Sequence, residues 1–219
     1  FPSAPFDDIH FTWAGVRALV REEGVSEGQV SRKHALFDHA QREGVEGVLS
    51  VLGGKITAYR AIAEEVVDDV SRTLSRDTRS RTADDPLPGA RAVDLAARPG
   101  DLALDATTRA HLTSIYGGRA REVLDLARTD PSLGSPLCPH HHGIEAEIVH
   151  AVESEWAQTL GDVLLRRNAL GLSACQALDC VDRVADRMGT VLGWDQERRR
   201  KEIEAYRQEV EPMRRFSTE

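Results

Sequence analysis

The hydrophobic period of this chain changes abruptly at Gly53-Gly54, and that change limits the folds open to it. Val48-Leu49-Ser50-Val51-Leu52 is a short apolar run with the length of a buried strand. Beyond the two glycines, Ile62, Ala63, Val66, Val67, Val70 and Leu74 recur at helical spacing. The pattern predicts an amphipathic helix beginning near Thr57, a residue type suited to an N-cap. A strand that turns through glycines into a helix gathers unpaired backbone N–H groups and the positive end of the helix dipole at one point. Such a point accepts a phosphate, a carboxylate or a group that gains negative charge, and Lys55 adds a full positive charge to it. Gly-Gly before a helix is also a common tight turn. The spacing here is neither a Walker A loop nor a GxGxxG dinucleotide fingerprint.

Upstream, Ile9 to Val16 is a short β-prone run, and residues 21–30 are polar and glycine-interrupted, hence a loop. The charged, aperiodic stretch from Arg76 to Arg81, followed by Pro86-Leu87-Pro88-Gly89, marks a boundary, and Pro99-Gly100 marks a further turn. After that the pattern is helical. Helices are expected over Ala106–Tyr116, over Arg119–Arg128, and from Glu145 to about Arg167. A further helix should open at Ser173, with Gln176 completing a capping box, and carry the stripe Ala174, Ala177, Leu178, Val181, Val184, Ala185, Met188. The last should start after Asp195 and stop by Pro212. The expected fold is mainly α: a helical domain over 81–219, preceded by strands and one helix over 1–80 that belong to an incomplete sheet domain.

Composition narrows the function classes. The 219 residues carry a net charge of −8, which disfavours a nucleic-acid binder, including a helix-turn-helix. A hydrophobic share of 41% with 29% charged residues fits a globular protein that can bury a core. No apolar run reaches the roughly 18–20 residues of a membrane span, so membrane contact is expected to be peripheral at most. The chain begins Phe1-Pro2-Ser3 without an initiator Met or a signal-peptide pattern, and reads as a mature product or a piece of something longer. Cys138, Cys175 and Cys180 have no CxxC spacing and are expected as reduced, cytoplasmic thiols, with Cys175 on a helix face as core. Among so many arginines, Lys33, Lys55 and Lys201 are the only lysines, which makes Lys55 worth inspecting.

Arg17 follows the first β-prone run and Arg32 lies in Ser31-Arg32-Lys33-His34. Brought beside the Lys55 turn, the two would form an anion pocket suited to phosphate; taken singly, each is an ordinary surface cation. The run Cys138-Pro139-His140-His141-His142, with Glu147 and His150 following, has no recognised metal spacing, so it is expected as a His-rich loop and no metal is assigned. The charges of Glu153, Glu155, Asp162, Arg166 and Arg167 fit a polar face or a domain-interface ion network.

In this order, Trp13-Ala14-Gly15-Val16-Arg17, Ser31-Arg32 and Gly53-Gly54-Lys55-Ile56-Thr57-Ala58-Tyr59-Arg60 resemble the second half of FAD-dependent (aerobic, quinone-linked) glycerol-3-phosphate dehydrogenases. Leu87-Pro88-Gly89, Glu155, Thr159-Leu160, Asp162, Leu165-Arg166-Arg167 and Leu192-Gly193-Trp194 resemble that family's helical C-terminal domain. The similarity runs from about Asp8 to the last helix.

The resemblance implies oxidation of sn-glycerol 3-phosphate to dihydroxyacetone phosphate by hydride transfer from C2 to flavin N5, in glycerol metabolism. Electrons would leave through quinone at the inner face of the cytoplasmic membrane, and the resemblance admits a homodimer. It gives Arg17 and Arg32 to the substrate, chiefly its phosphate, and Lys55 to both substrate and catalysis. Gly53, Gly54, Lys55, Ile56 and Thr57 fall to FAD, with Thr57 toward the pyrimidine edge. Simple electrostatics agrees, because reduced flavin gains negative charge where a helix start and a lysine would stabilise it. The chain departs from the pattern at Ala18, where the family usually has Pro, and at Ala58, where a second Thr is usual. Neither His10 nor His34 matches a general base. Lacking GxGxxG, these 219 residues alone are expected to bind FAD poorly and to turn over no substrate. The rival reading is a stand-alone helical interaction or regulatory module, and convergence of Arg17, Arg32 and Lys55 on one cleft separates the two.

Overall fold

The run after Gly44 pairs with a strand that its own pattern had not announced. A computed structural model describes residues 9, 12–16, 18–21, 23–26, 28–76, 78–91 and 102–217. They fall into two units, one of Ala14–Pro86 and one of the described residues within Phe1–Trp13 and Leu87–Glu219.

In the first unit, β1 (His34–Asp38) and β2 (Leu49–Gly53) form an antiparallel pair in which His34 faces Gly53 and Asp38 faces Leu49. Between them lies the short helix α1 (His39–Glu43). Asp38 starts it by accepting from the Ala40 N–H at 2.9 Å, and Gly44, in the left-handed region at φ 71°, ends it. After a 3₁₀ turn over Ile56–Ala58 comes α2 (Tyr59–Thr73). Thr57 does not cap this helix: no side chain does, and Lys55 holds the N-cap position of the 3₁₀ turn. The Arg60 guanidinium reaches from α2 to the carbonyls of Thr82 and Asp85, fastening the boundary segment to the unit.

No described residue of this unit is buried. β2, expected to be covered, is exposed from Val51 onward, and on α2 Val67, Val70 and Leu74 are exposed as well. The physical reason is that two strands and one helix present apolar faces without a second layer to cover them, an arrangement only marginally stable by itself. The β-prone run at 9–16 is not a strand over its described residues 12–16, while His10, Phe11 and the turn at Pro99-Gly100 lie outside the described residues.

The second unit is helical and has a core. α3 (Ala106–Tyr116) is capped by Asp105, which accepts from the Thr108 N–H at 2.8 Å. It ends at Gly117, where a Cβ would collide with the Gly89 carbonyl; the Gly118 N–H donates to that same oxygen at 2.8 Å. The Pro88-Gly89 turn is therefore a packing element. α4 (Ala120–Thr129) follows, then a hairpin of β3 (Pro136–Cys138) and β4 (His141–Ile144), then α5 (Glu145–Glu153). α5 is buried from Glu145 through Val152 and contributes to two core clusters. Ile148, Ala151 and Val152 join Leu160, Val184 and Met188 in one, whereas Ala146 and Val149 join Leu112 and Val123 in the other.

Two expected helices are corrected. The segment expected to be helical from Glu145 to about Arg167 breaks after Glu153, with Trp156 at φ 60°, and resumes as a wide π turn over Asp162–Arg167. Asp162 restarts it by accepting from the Gln158 and Thr159 N–H groups, both at 3.0 Å. Likewise no helix opens at Ser173. Its hydroxyl donates to the Leu170 carbonyl at 2.7 Å, Gln176 and Ala177 take positive φ, and α6 (Val181–Leu192) begins only at Val181. The buried Tyr206 hydroxyl of α7 (Gln196–Val210) donates to the Gln176 carbonyl at 2.8 Å and holds that turn open. From Val181 onward the stripe is as expected, with Val181, Val184, Ala185 and Met188 fully buried.

Candidate functional site

The turn at Gly53-Gly54 is tight because both residues sit in the left-handed region, at φ 71° and 90°. A Cβ on Gly54 would lie 3.0 Å from Ile62 Cδ1 and 3.1 Å from His34 Cβ; one on Gly53 would lie 3.1 Å from the Lys33 carbonyl oxygen. Side-chain-free backbone thus passes closely between the start of β1 and the start of α2. Lys55 is extended, and the Ala58 N–H then closes the 3₁₀ turn onto the Lys55 carbonyl at 3.0 Å. With no side-chain cap and no acidic residue in the first turn of α2, the helix start keeps its positive character.

This turn borders an open groove of about 1100 Å³ within the unit. Gly53, Gly54, Lys55, Ile56 and Thr57 all line it, together with Gly15, Val16 and Ala18 and with Ile62 and Val66 of α2. The groove is mostly apolar, and Ile56, 88% exposed, stands at its edge. Lys55 is exposed and forms no ion pair among the described residues. Here a planar apolar group could lie on the aliphatic walls, with an electron-rich edge toward Lys55 and the helix start.

The groove gathers the five turn residues named from the sequence but not every cation. Arg32 does not line it. It is exposed, two positions before His34, which the strand register sets opposite Gly53, so it stands at the same end of the hairpin as the turn. Arg17 lies outside the described residues, although its neighbours Val16 and Ala18 line the groove. His34 is engaged elsewhere, its Nε2 2.7 Å from Glu65 Oε2.

Sequence reasoning missed a second polar cluster, in the helical unit. Glu147 is fully buried; it accepts from the Ile144 N–H at 3.0 Å, from the Tyr116 hydroxyl at 3.3 Å, and lies 3.0 Å from His111 Nε2. The His150 ring, 1% exposed, packs edge-on against Tyr116, with Nε2 3.7 Å from Glu155. Burial lowers the pKa of His150, and burial with the neighbouring His111 lowers that of His141. Burial, then the Glu147 charge, raises that of Tyr116. The supposed His-rich loop is thus a hairpin tied into a buried network. Among the described residues no group of three or more His, Cys, Asp or Glu could hold a metal ion. Only Glu147 and His150 were legible as neighbours on one helix face; the contacts to His111 and Tyr116 depend on packing between helices.

Comparison with known proteins bears on the whole chain. Residues 80–199 match the family described as the C-terminal domain of alpha-glycerophosphate oxidase. The chain is 35% identical over 210 residues to a Synechocystis protein named glycerol-3-phosphate dehydrogenase, covering 93% of this chain and 38% of that one. It is 34% identical over 188 residues to one subunit of the anaerobic glycerol-3-phosphate dehydrogenase of Haemophilus influenzae, covering 85% and 33%. With the aerobic glycerol-3-phosphate dehydrogenase of Staphylococcus aureus it shares 31% identity over 232 residues, covering 96% and 39%. The chain therefore spans less than two-fifths of the length of these relatives. The resemblance read from the motifs is borne out, and the chain belongs to the family that carries the alpha-glycerophosphate oxidase C-terminal domain, corresponding to its C-terminal portion.

Proposed function

We propose that this chain forms the C-terminal part of an FAD-dependent enzyme that oxidises sn-glycerol 3-phosphate to dihydroxyacetone phosphate. The observation that carries the reading is the single groove bordered by Gly53, Gly54, Lys55, Ile56 and Thr57. Glycine backbone without side chains, an uncapped helix start and aliphatic walls fit the edge of a flavin ring. FAD, when bound, supplies the acceptor for the hydrogen at C2 of the substrate. The chain's own residues bind and orient. Lys55 holds positive charge at the electron-rich edge, and the Ile56 and Thr57 N–H groups lie at the same helix start. Arg32, with Arg17, takes the phosphate through charge-assisted hydrogen bonds, each worth about 1.5–3 kcal/mol. The apolar walls exclude water from the reacting carbon.

The uncovered faces of Val51, Val67 and Val70 support a unit that completes its core against further chain, as relatives more than twice as long would supply. In this reading electrons pass to quinone at the cytoplasmic membrane surface, by peripheral contact; among the described residues no helix is long and apolar enough to cross a membrane. A homodimer belongs to the same reading.

The test uses the product of the longest reading frame containing these 219 residues. A yellow protein whose flavin absorbance bleaches anaerobically with sn-glycerol 3-phosphate, and not with its mirror-image phosphate, is expected. A protein that takes up FAD yet is not bleached would overturn the substrate, and one that binds no flavin would overturn the cofactor.

A further inference from the structure

The three cysteines, scattered in sequence, meet beside the β3–β4 hairpin of the helical unit. Cys138 closes β3 and Cys180 stands immediately before α6. Cys175, expected as core on a helix face, instead lies half-buried in the turn held open by Tyr206, because no helix opens at Ser173. The Sγ atoms of Cys138 and Cys175 are 3.8 Å apart, and all three thiols are free. Their exposure differs: Cys138 and Cys180 are 2% and 5% exposed, whereas Cys175 is half-buried. The Ser173 hydroxyl lies 3.3 Å from the Cys175 sulfur, and the His140 N–H donates to the Cys138 sulfur at 3.5 Å.

We propose that Cys138 and Cys175 form a reversible thiol–disulfide pair, oxidised by hydrogen peroxide through Cys175, that clamps the β3–β4 hairpin to the turn before α6. Cys175 is the least buried of the three cysteines and so the one that meets peroxide first. Its thiolate attacks one peroxide oxygen; the O–O bond breaks, the leaving hydroxide takes a proton to become water, and Cys175 becomes a sulfenic acid. The sulfur has given up two electrons, and peroxide has accepted them. The Cys138 sulfur then attacks Cys175 Sγ, so that the S–S bond forms, the S–O bond breaks, and a second water leaves with the Cys138 proton.

Closing the pair brings the sulfurs from 3.8 Å to a bond of about 2.05 Å. The turn can supply that movement, because residues 174–180 lie outside any helix. Cys180 is the poorer partner. Its sulfur also neighbours that of Cys138, but its thiol donates to the Ala177 carbonyl at 3.5 Å, and burial, then the adjacent Cys138, pushes its pKa up to about 12. Burial also raises that of Cys138, so Cys138 waits as the resolving thiol.

The experiment treats the native product of the longest reading frame containing these 219 residues with equimolar peroxide, alkylates it, and cleaves it at its aspartates, which at Asp179 separates Cys175 from Cys180. Expected is one cross-linked pair of peptides containing Cys138 and Cys175, lighter by two hydrogens, with Cys180 alkylated. Dithiothreitol should restore three alkylatable thiols, and the oxidised chain should melt at a higher temperature than the reduced one. Cys175→Ser should abolish the cross-link, while Cys180→Ser should leave it intact. Three alkylated cysteines after peroxide, a Cys175 sulfinic acid without a cross-link, or a cross-link that includes Cys180 would each overturn the proposal.

Discussion

His34 and Gly53 stand opposite each other at the open end of the β1–β2 hairpin, and this pairing brings Arg32 and Lys55 to one end of the same unit. Arg32 precedes the first paired residue on one strand and Lys55 follows the last on the other. Their placement at one end of the hairpin comes from antiparallel register, which local sequence does not display.

Gly54 allows this arrangement. At φ 90°, with Ile62 and His34 at 3.0 and 3.1 Å from its would-be Cβ, it has neither the backbone freedom nor the room for a side chain. Gly54→Ala should therefore cost about 1–2 kcal/mol of stability in the turn. In the enzyme expressed from the full reading frame it should lower the flavin-to-protein ratio, read from absorbance after purification.

The break between α5 and the π turn has a similar dependence on one side chain. Arg167 Nη2 and Nε donate to the Glu155 carbonyl at 2.7 and 3.1 Å, and Nη1 donates to that of Asp162 at 3.1 Å. Arg167→Ala should destabilise the chain by about 2–4 kcal/mol, since charge-assisted bonds are lost together. Arg167→Lys should recover little, because an ammonium cannot reproduce the fork. Urea denaturation monitored by circular dichroism measures both.

Acid should loosen the helical unit before ordinary carboxylates titrate. His150 and His141 are held neutral by burial, with folded pKa values below the usual 6.5. Between those values and 6.5 the unfolded chain binds more protons than the folded one. The stability they contribute is therefore present above 6.5 and falls as pH drops through that value. The melting temperature should decline from pH 7 to pH 5, and His150→Gln should flatten the decline while lowering the melting temperature at pH 7.

Much of the helical unit was legible because its signals are local. Asp105 and Asp195 cap α3 and α7, and the stripe from Val181 to Met188 is buried as its period requires. Where sequence reading failed, distant partners decided. Arg167 holds a break in a helix that hydrophobic spacing would continue, Asp162 restarts the chain beyond it, and Tyr206 keeps residues 173–180 out of a helix. β1 escaped notice because His34–Asp38 lacks alternation and owes its strand state to β2. At the site, Gly53-Gly54-Lys55 was legible as a motif. The contacts of Glu147 and the meeting of three cysteines left no signal in spacing, since each is made by packing between separate elements.

The proposed placement of Lys55 at the electron-rich edge of a flavin is tested most directly by the anaerobic rate at which sn-glycerol 3-phosphate reduces the flavin, measured by stopped flow in the product of the full reading frame. Lys55→Met removes the charge while keeping the aliphatic stem. The limiting rate should fall by about 10²-fold or more, with FAD retained. Arg32→Ala should instead raise the substrate concentration needed for half-maximal rate by about tenfold or more. A Lys55→Met enzyme whose flavin is reduced at the unaltered rate would show that Lys55 does not stabilise the reduced flavin.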